Sequence, residues 1–327
     1  MDDITAVIEV LGGSIERHEI LDLGWNDRQI GEAVRGGLLT RIRYGTYAAT
    51  TVWDHSSPGQ RLQILTRAVI GKLGRHVVAS HHSAAALHGF ELFGVDLERV
   101  HLTRLDGRTG RIDAGVQYHR GRLDETELIE IDGCLVVRPD RAVIESALIS
   151  GTESAMVVAS SYLRGTGGGR GELLEVFDAH HADWPGSIAA RSGLARADAR
   201  FESVGEVRTG HLFHRFAIEA PEPQFTILDA GGRFVARCDF GWRRQRHVGE
   251  FDGMVKYGRL NPDPGDPGRV LVGEKRREDE IRDLGFGVSR VTWADLAPGR
   301  AAATAARIRA DVDRSARITA HRLAAGA

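Results

Sequence analysis

The sequence predicts a multidomain α/β protein. At 327 residues the chain is long for one hydrophobic core, so two or three domains are expected. Its apolar fraction of 42% and charged fraction of 27% are ordinary for a globular protein. Short helical and strand patterns alternate along the chain, and their character changes twice. These changes divide it into segments 1–55, 56–198 and 199–327.

Composition limits the compartment and the partners. No apolar run approaches the roughly 20 residues that span a bilayer, and the acidic start is not a signal peptide. Two distant cysteines, Cys134 and Cys238, fit a reducing cytoplasm. The net charge of −2 does not by itself predict nucleic-acid binding. We therefore expect a cytoplasmic protein without a membrane partner.

The first segment has the pattern of a winged helix-turn-helix. Two short helices are expected at residues 4–11 and 16–23, and Asn26 caps a third with Gln29 as its capping-box partner. A tight hairpin follows around Tyr44-Gly45. The third helix of such a domain can enter the major groove of DNA. The residues expected at DNA are Arg28, Gln29 and Arg35 on the helix, and Arg41, Arg43 and Tyr44 on the hairpin. The segment carries at least as many acids as bases, so a domain for protein contacts is the alternative.

The middle segment, residues 56–198, reads as mixed α/β without a catalytic constellation. We expect a helix over 58–73, a strand at 77–79, a helix capped by Ser83, strands at 100–103 and 116–119, and helices over 139–149 and 153–163. The glycine-rich residues 165–171 lack the ending of a phosphate loop and indicate a hinge or exposed turn. Five histidines lack zinc-site spacing and are interpreted as helix caps or surface residues: His81, His82, His88, His180 and His181.

The third segment predicts the element order helix, three strands, helix, strand. The first helix follows residues 201–206, with core residues Val207, Leu212, Phe213 and Phe216. A strand at 225–228 precedes a hairpin, then an irregular loop, a charged helix over 273–284 and a strand at 288–293. An Ala/Arg helix from about residue 300 is expected to dock through Ile308, Val312 and Ile318.

The hairpin carries a predicted metal site. Residues on either side of Arg243–Arg246 alternate as half-buried strands do, and a symmetric four-residue loop sets Trp242 opposite His247 and Asp239 opposite Glu250. Directly opposed carboxylates repel each other, so a cation between them is expected. Asp252 points to the same face as Glu250. The sequence therefore predicts a patch of three carboxylates.

Segment 199–327 resembles the PD-(D/E)XK nucleases, and more narrowly the branch related to very-short-patch-repair endonucleases. The matching motifs are Glu202-Ser203-Val204-Gly205-Glu206, Arg237-Cys238-Asp239-Phe240, Glu250-Phe251-Asp252-Gly253, and residues 274–277, 284–286 and 290–293. The resemblance implies a restriction-endonuclease-like α/β domain with a central mixed sheet.

The front of the chain is similar to the N-terminal domains of AbiEi-family antitoxins of type IV toxin–antitoxin systems. The match lies in residues 28–30, 37–39, 43–47 and 80–89. It implies autoregulation through DNA binding.

The nuclease resemblance also implies roles for individual residues. Asp239 and Glu250 would hold a divalent metal, and Glu206 would be the assisting helix acid, with Glu202 as second candidate. The capping-box partner of Ser203 is the structural alternative for Glu206. The family places a lysine where Asp252 stands here. Either Asp252 is a third ligand and Lys256 or Lys275 supplies the ammonium group, or activity has been lost. These are two of only three lysines, and a lysine can titrate where an arginine cannot.

Two functions are therefore weighed for a protein whose expected partner is DNA, with a homodimer left open. The first is metal-dependent hydrolysis of phosphodiester bonds, in phage defence or DNA repair. Mg²⁺ or Mn²⁺ on Asp239, Glu250 and the Phe251 carbonyl would activate water. Flanking phosphates would be held by Arg237, Arg243, Arg244 and Arg246. The second is a non-enzymatic regulator or antitoxin with an inactive nuclease fold.

Overall fold

The structure is a computed structural model that describes residues 4–106, 110–253 and 276–325. The chain divides into two compact units, Met1–Ala195 and Arg196–Ala327. It is mixed α/β, and its described residues form sheets of three, four and six strands. No helix among these residues combines the length and apolar composition needed to cross a membrane.

The first unit begins with short helices around a small sheet. Helices α1 (Ile4–Val10), α2 (Arg17–Asp22) and α3 (Asp27–Arg35) are followed by strands β2 (Leu39–Arg43) and β3 (Thr46–Ala49). The predicted capping box forms, with Asn26 Oδ1 accepting from Gln29 N–H at 3.0 Å and Gln29 Oε1 accepting from Asn26 N–H at 2.9 Å. A further strand, β1 (Ile15–Glu16), pairs with β3 and was not predicted.

A six-stranded sheet forms the rest of the first unit together with seven helices. Helices α4 (Thr50–His55) and α5 (Pro58–Leu73) lead into strands β4 (Val77–Ala79), β5 (Val100–Arg104), β6 (Arg111–Asp113), β7 (Val116–Arg120), β8 (Leu128–Ile131) and β9 (Cys134–Val137). Helix α6 (His81–Leu87) follows β4, and α7 (Pro139–Leu148), α8 (Thr152–Thr166), α9 (Arg170–His180) and α10 (Ser187–Leu194) complete the unit. The strand order is β6-β7-β5-β4-β9-β8.

The second unit has the predicted element order. Helix α11 (Val204–Arg215) precedes strands β10 (Glu222–Leu228), β11 (Phe234–Trp242) and β12 (His247–Asp252). A helix at residues 276–283, here α12, leads to β13 (Gly287–Thr292), and α13 (Ala301–Ala325) follows. The sheet order is β10-β11-β12-β13, antiparallel except for the parallel β12–β13 pair. Residues 273–275 of the predicted charged helix lie outside the described residues.

Three local predictions are wrong or incomplete. The helix after β4 begins at His81, with Ser80 at its N-cap, because Ser83 Oγ instead accepts from His101 N–H at 2.9 Å. Ile308 and Val312 are buried as predicted, but Ile318 is exposed. Strands β6, β8 and β9 and helices α9 and α10 were not predicted, because their sequence patterns are short or weakly periodic. Whether such a short segment forms a strand depends on its pairing with distant residues.

Candidate functional site

The hairpin of β11 and β12 has the predicted register. Trp242 pairs with His247, Gly241 with Val248, and Phe240 with Gly249. Beyond these pairs Asp239 Oδ2 accepts a hydrogen bond of 2.7 Å from the Phe251 amide. The Asp239 carboxylate is thereby bound to the backbone of the neighbouring strand.

Glu250 is engaged by cationic side chains. Its Oε1 accepts a hydrogen bond of 2.5 Å from Arg277, and Arg290 lies 3.9 Å from its Oε2. Burial raises the pKa of the Cys238 thiol to about 12, and the neighbouring Glu250 carboxylate adds to the rise. Glu250 thus lies between a neutral thiol and two guanidinium groups.

Glu206 contacts Ser203 at the beginning of α11, as the structural alternative predicted. Ser203 Oγ donates to its Oε1 at 2.7 Å, and the Glu202 amide donates to its Oε2 at 2.9 Å, at the beginning of α11. Gln224 Nε2 also donates at 2.9 Å. The side chain is only 6% exposed, so burial raises the pKa of Glu206, and the charge on nearby Asp239 raises it further. The second candidate, Glu202, instead pairs with Arg237 at 2.9 Å.

Two carboxylates of the predicted patch, Asp239 and Glu250, accept hydrogen bonds from protein donors. Within residues 4–106, 110–253 and 276–325, no group of three or more His, Cys, Asp or Glu side chains could hold a metal. Asp239, Glu250 and Asp252 do not form such a group, and a metal held by Asp239 and Glu250 stays a prediction. Backbone and guanidinium donors meet the charges that a cation was expected to meet. Lys256 and Lys275 lie outside the described residues.

Three of the four hairpin arginines contact neighbouring groups of the second unit. Arg243 pairs with Glu222 at 3.0 Å and lies over the Phe225 ring. Arg246 donates to the Leu284 carbonyl and lies over Phe286. Arg237 binds Glu202, as above. Arg244 is exposed, with no ion-pair partner among the residues that the structure describes.

Two of the three DNA-contact candidates on the expected recognition helix α3 bind residues of that helix or its N-cap. Arg28 pairs with Glu32 one turn later at 2.9 Å. Gln29 is committed to the capping box, and Arg35 is exposed near the end of the helix. Of the predicted set on this helix, only Arg28 and Arg35 therefore present exposed positive charge.

The hairpin that follows α3 ends in an exposed aromatic residue. Tyr44 is 88% exposed, and the guanidinium of Arg41 lies 5.0 Å from its ring centroid. The Arg43 side chain instead donates to the Ala114 carbonyl at 2.7 Å. Lys72 Nζ donates to the Tyr44 carbonyl at 3.1 Å and forms a 2.8 Å ion pair with Glu16. The hairpin tip thus combines an aromatic ring with basic groups.

Two of the histidines that the sequence indicated as caps or surface residues, His81 and His82, join two strand histidines in a largely buried cluster. His81 and His82 lie on α6, and His101 and His119 on strands β5 and β7. His101 Nδ1 is 2.9 Å from His119 Nε2, and the His81 and His119 rings stack 3.6 Å apart. Burial lowers the pKa of His82 and His119 to about 4, lowers the pKa of His101 to about 3, and lowers the pKa of His81 well below its usual value. The interpretation of His81 and His82 as caps or surface residues is wrong because both are buried beside β5 and β7, whose parallel pairing the sequence pattern did not indicate.

Comparison with known proteins gives relatives without an assigned activity. No protein-family model matches the chain. Two proteins of Mycobacterium tuberculosis, uncharacterized protein MT2308 of strain CDC 1551 and uncharacterized protein Rv2248 of strain H37Rv, are each 29% identical to it over 285 residues. The match covers 86% of this chain and 96% of each relative. Since Met1–Ala195 is shorter than the match, the similarity includes parts of both units.

Proposed function

We propose that the protein is a DNA-binding regulator that contacts DNA through a winged helix-turn-helix in its first unit. The tip of the β2–β3 hairpin carries this proposal. An exposed tyrosine beside an arginine suits the edge of a duplex, where the guanidinium binds a phosphate and the ring packs on sugar. Arg28 and Arg35 on α3 are the further candidates for DNA contact.

The arrangement of the second unit supports a regulator more than an enzyme. Asp239, Glu250 and Glu206 each accept hydrogen bonds from protein donors, so each carboxylate has partners in the absence of a metal. The family lysine position is occupied by Asp252. Such a unit would serve as a platform, as the AbiEi resemblance at the front of the chain also suggests.

The test is DNA binding by the whole chain, measured by fluorescence anisotropy. The duplexes are the region upstream of its own gene and a scrambled sequence of equal length. We expect preference for the upstream region. Arg41→Ala should weaken binding about tenfold and reduce the magnitude of the salt-dependence slope by about 1, as loss of one phosphate contact does.

Two controls make the measurement specific to the hairpin tip. Tyr44→Phe keeps the ring and should bind nearly as wild type, whereas Tyr44→Ala should not. Arg99→Ala removes an arginine that pairs with Asp96 elsewhere in the same unit and should leave affinity unchanged. Equal affinity for both duplexes, or an Arg41→Ala variant that binds as wild type, would contradict the proposal.

A second candidate is the endonuclease, supported by the electrostatic interaction between Glu206 and Asp239. A buried acid with a raised pKa beside a second carboxylate is typical of functional sites. The order helix, three strands, helix, strand also agrees with the nuclease resemblance. Because Glu250 is bound by Arg277, it would have to leave this arginine to hold a metal.

Nicking assays test this candidate directly. Supercoiled plasmid and single-stranded DNA are incubated with the purified chain and either Mg²⁺ or Mn²⁺. An endonuclease would relax or cut these substrates, and Asp239→Ala or Glu250→Ala would abolish cutting while DNA binding remained. If both substrates stay intact with either ion, the regulator is left as the proposed function.

A further inference from the structure

A cavity of about 550 Å³ lies in the first unit, away from the hairpin tip. Its walls come from the segment after β7, the first turn of α7 and the end of α9. The side chains used below are Arg120, Arg122, Glu127, Arg141, His181 and Trp184. The volume is in the range of small-ligand sites.

One wall is held rigidly by Arg141. Its Nε donates to Glu145 at 2.8 Å, and it also donates to Glu127 and to the Arg122 carbonyl. Glu145 is fully buried, and burial raises its pKa even though Arg141 opposes the rise. The hydrogen bond from Arg141 holds the Arg122 carbonyl at the rim, and Arg122 lines the cavity.

The opposite wall carries an unsatisfied polar group. His181 is 5% exposed, and its Nδ1 is buried without a hydrogen-bond partner among the described residues, although the Val176 carbonyl lies near enough to favour the protonated ring. Its ring lies 4.9 Å from that of Trp184. The His181 ring is therefore a buried polar group on the wall that carries Trp184.

The remaining charge in the cavity favours an anion. Among the described residues, Arg141 is matched by Glu127 and Glu145, and Arg138 by Asp140. The remaining lining charges are Arg120 and Arg122, which have no ion-pair partner there, and the single carboxylate of Asp124. The indole of Trp184 is 39% exposed and offers a flat apolar face beside them. Guanidinium groups bind phosphate, and bases stack on aromatic rings.

We propose that this cavity, the Trp184 pocket, binds a nucleoside monophosphate, with the base on Trp184 and the phosphate at Arg120 and Arg122. The pocket uses residues other than those at the hairpin tip, so its occupancy is independent of the DNA-binding proposal.

Isothermal titration of the full chain with AMP, GMP, CMP, UMP, adenosine and inorganic phosphate tests the assignment. At least one monophosphate should bind with a Kd below about 1 mM, and adenosine and phosphate alone should each bind at least about tenfold more weakly. No binding by any monophosphate, or phosphate binding as tightly as the nucleotides, would overturn it.

Variants locate the ligand within the unit. Arg120→Ala/Arg122→Ala, on exposed positions, should lose at least about tenfold in affinity with an unchanged circular dichroism spectrum. Trp184→Ala should do the same and Trp184→Phe should restore binding, while Arg75→Ala, outside the pocket, serves as control. Wild-type affinity in the double variant would refute the proposal. So would a short oligonucleotide binding much more tightly through these residues, since the pocket would then be part of a nucleic-acid surface.

Discussion

Arg277 donates a 2.5 Å hydrogen bond to Glu250, the residue that the nuclease resemblance makes a metal ligand. A guanidinium is therefore a partner of the carboxylate that was expected to hold a cation. Because the Arg277 side chain is about half exposed, the pair contributes little stability, less than about 1 kcal/mol. Its consequence is electrostatic, since a carboxylate already paired with arginine attracts a metal weakly.

Removal of Arg277 should make this consequence measurable. In Arg277→Ala, the ion-pair partner that remains for Glu250 among the described residues is Arg290, at 3.9 Å. We expect this variant to bind Mn²⁺ and to melt at a higher temperature in its presence, followed by electron paramagnetic resonance and thermal unfolding. Arg282→Ala, which loses a partner of Glu278 on the same helix, is the control. If Arg277→Ala binds no more Mn²⁺ than wild type, these carboxylates are not a latent metal site.

Gly205 fixes the distance between α11 and β12. A Cβ at this position would lie 1.9 Å from Cε1 of Phe251, the residue between Glu250 and Asp252. Gly205→Ala should therefore destabilise the second unit by about 1–3 kcal/mol, as overpacking of a core does, measured by urea unfolding. Gly299→Ala in the same unit meets no atom within 4 Å and should be neutral. An unchanged unfolding midpoint for Gly205→Ala would show that α11 can move away without cost.

Local patterns predicted much of the second unit, and contacts between distant residues account for what they missed. The register of Trp242 with His247 follows from alternation and loop length, so it could be read directly. The partner of Glu250 could not, because Arg277 is 27 positions away and its approach depends on how α12 packs. Likewise, His101 and His119 lay on predicted strands, but only the parallel pairing of β5 and β7 brings their rings together.

The buried histidines should make the first unit sensitive to acid. Their pKa values of about 3 to 4 lie below the ordinary 6.5, so between these values the unfolded chain binds more protons than the folded one. Stability is then full above about pH 6.5 and is lost as the pH falls towards 4, by up to about 1.4 kcal/mol per pH unit for each histidine. Denaturant unfolding between pH 7.5 and 4.5 measures the slope.

Single substitutions assign that slope to the cluster. His119→Gln should reduce it by about one proton, or about 1.4 kcal/mol per pH unit, whatever it does to stability at neutral pH. His321→Gln, an exposed histidine of the second unit, is the comparison. If His119→Gln and wild type lose stability with the same slope, the neutral cluster is not the origin of the acid sensitivity.

Neither cysteine should react with thiol reagents while the protein is folded. Cys134 and Cys238 are both buried free thiols, and burial raises the pKa of each, to about 12 for Cys238. The thiolate is the reactive form, so 5,5′-dithiobis(2-nitrobenzoate) at pH 8 should release no colour until denaturant is added. Both thiols should then react. Labelling of Cys238 in the folded wild type would show that the strand carrying Asp239 opens, since this thiol is covered by the core of the second unit.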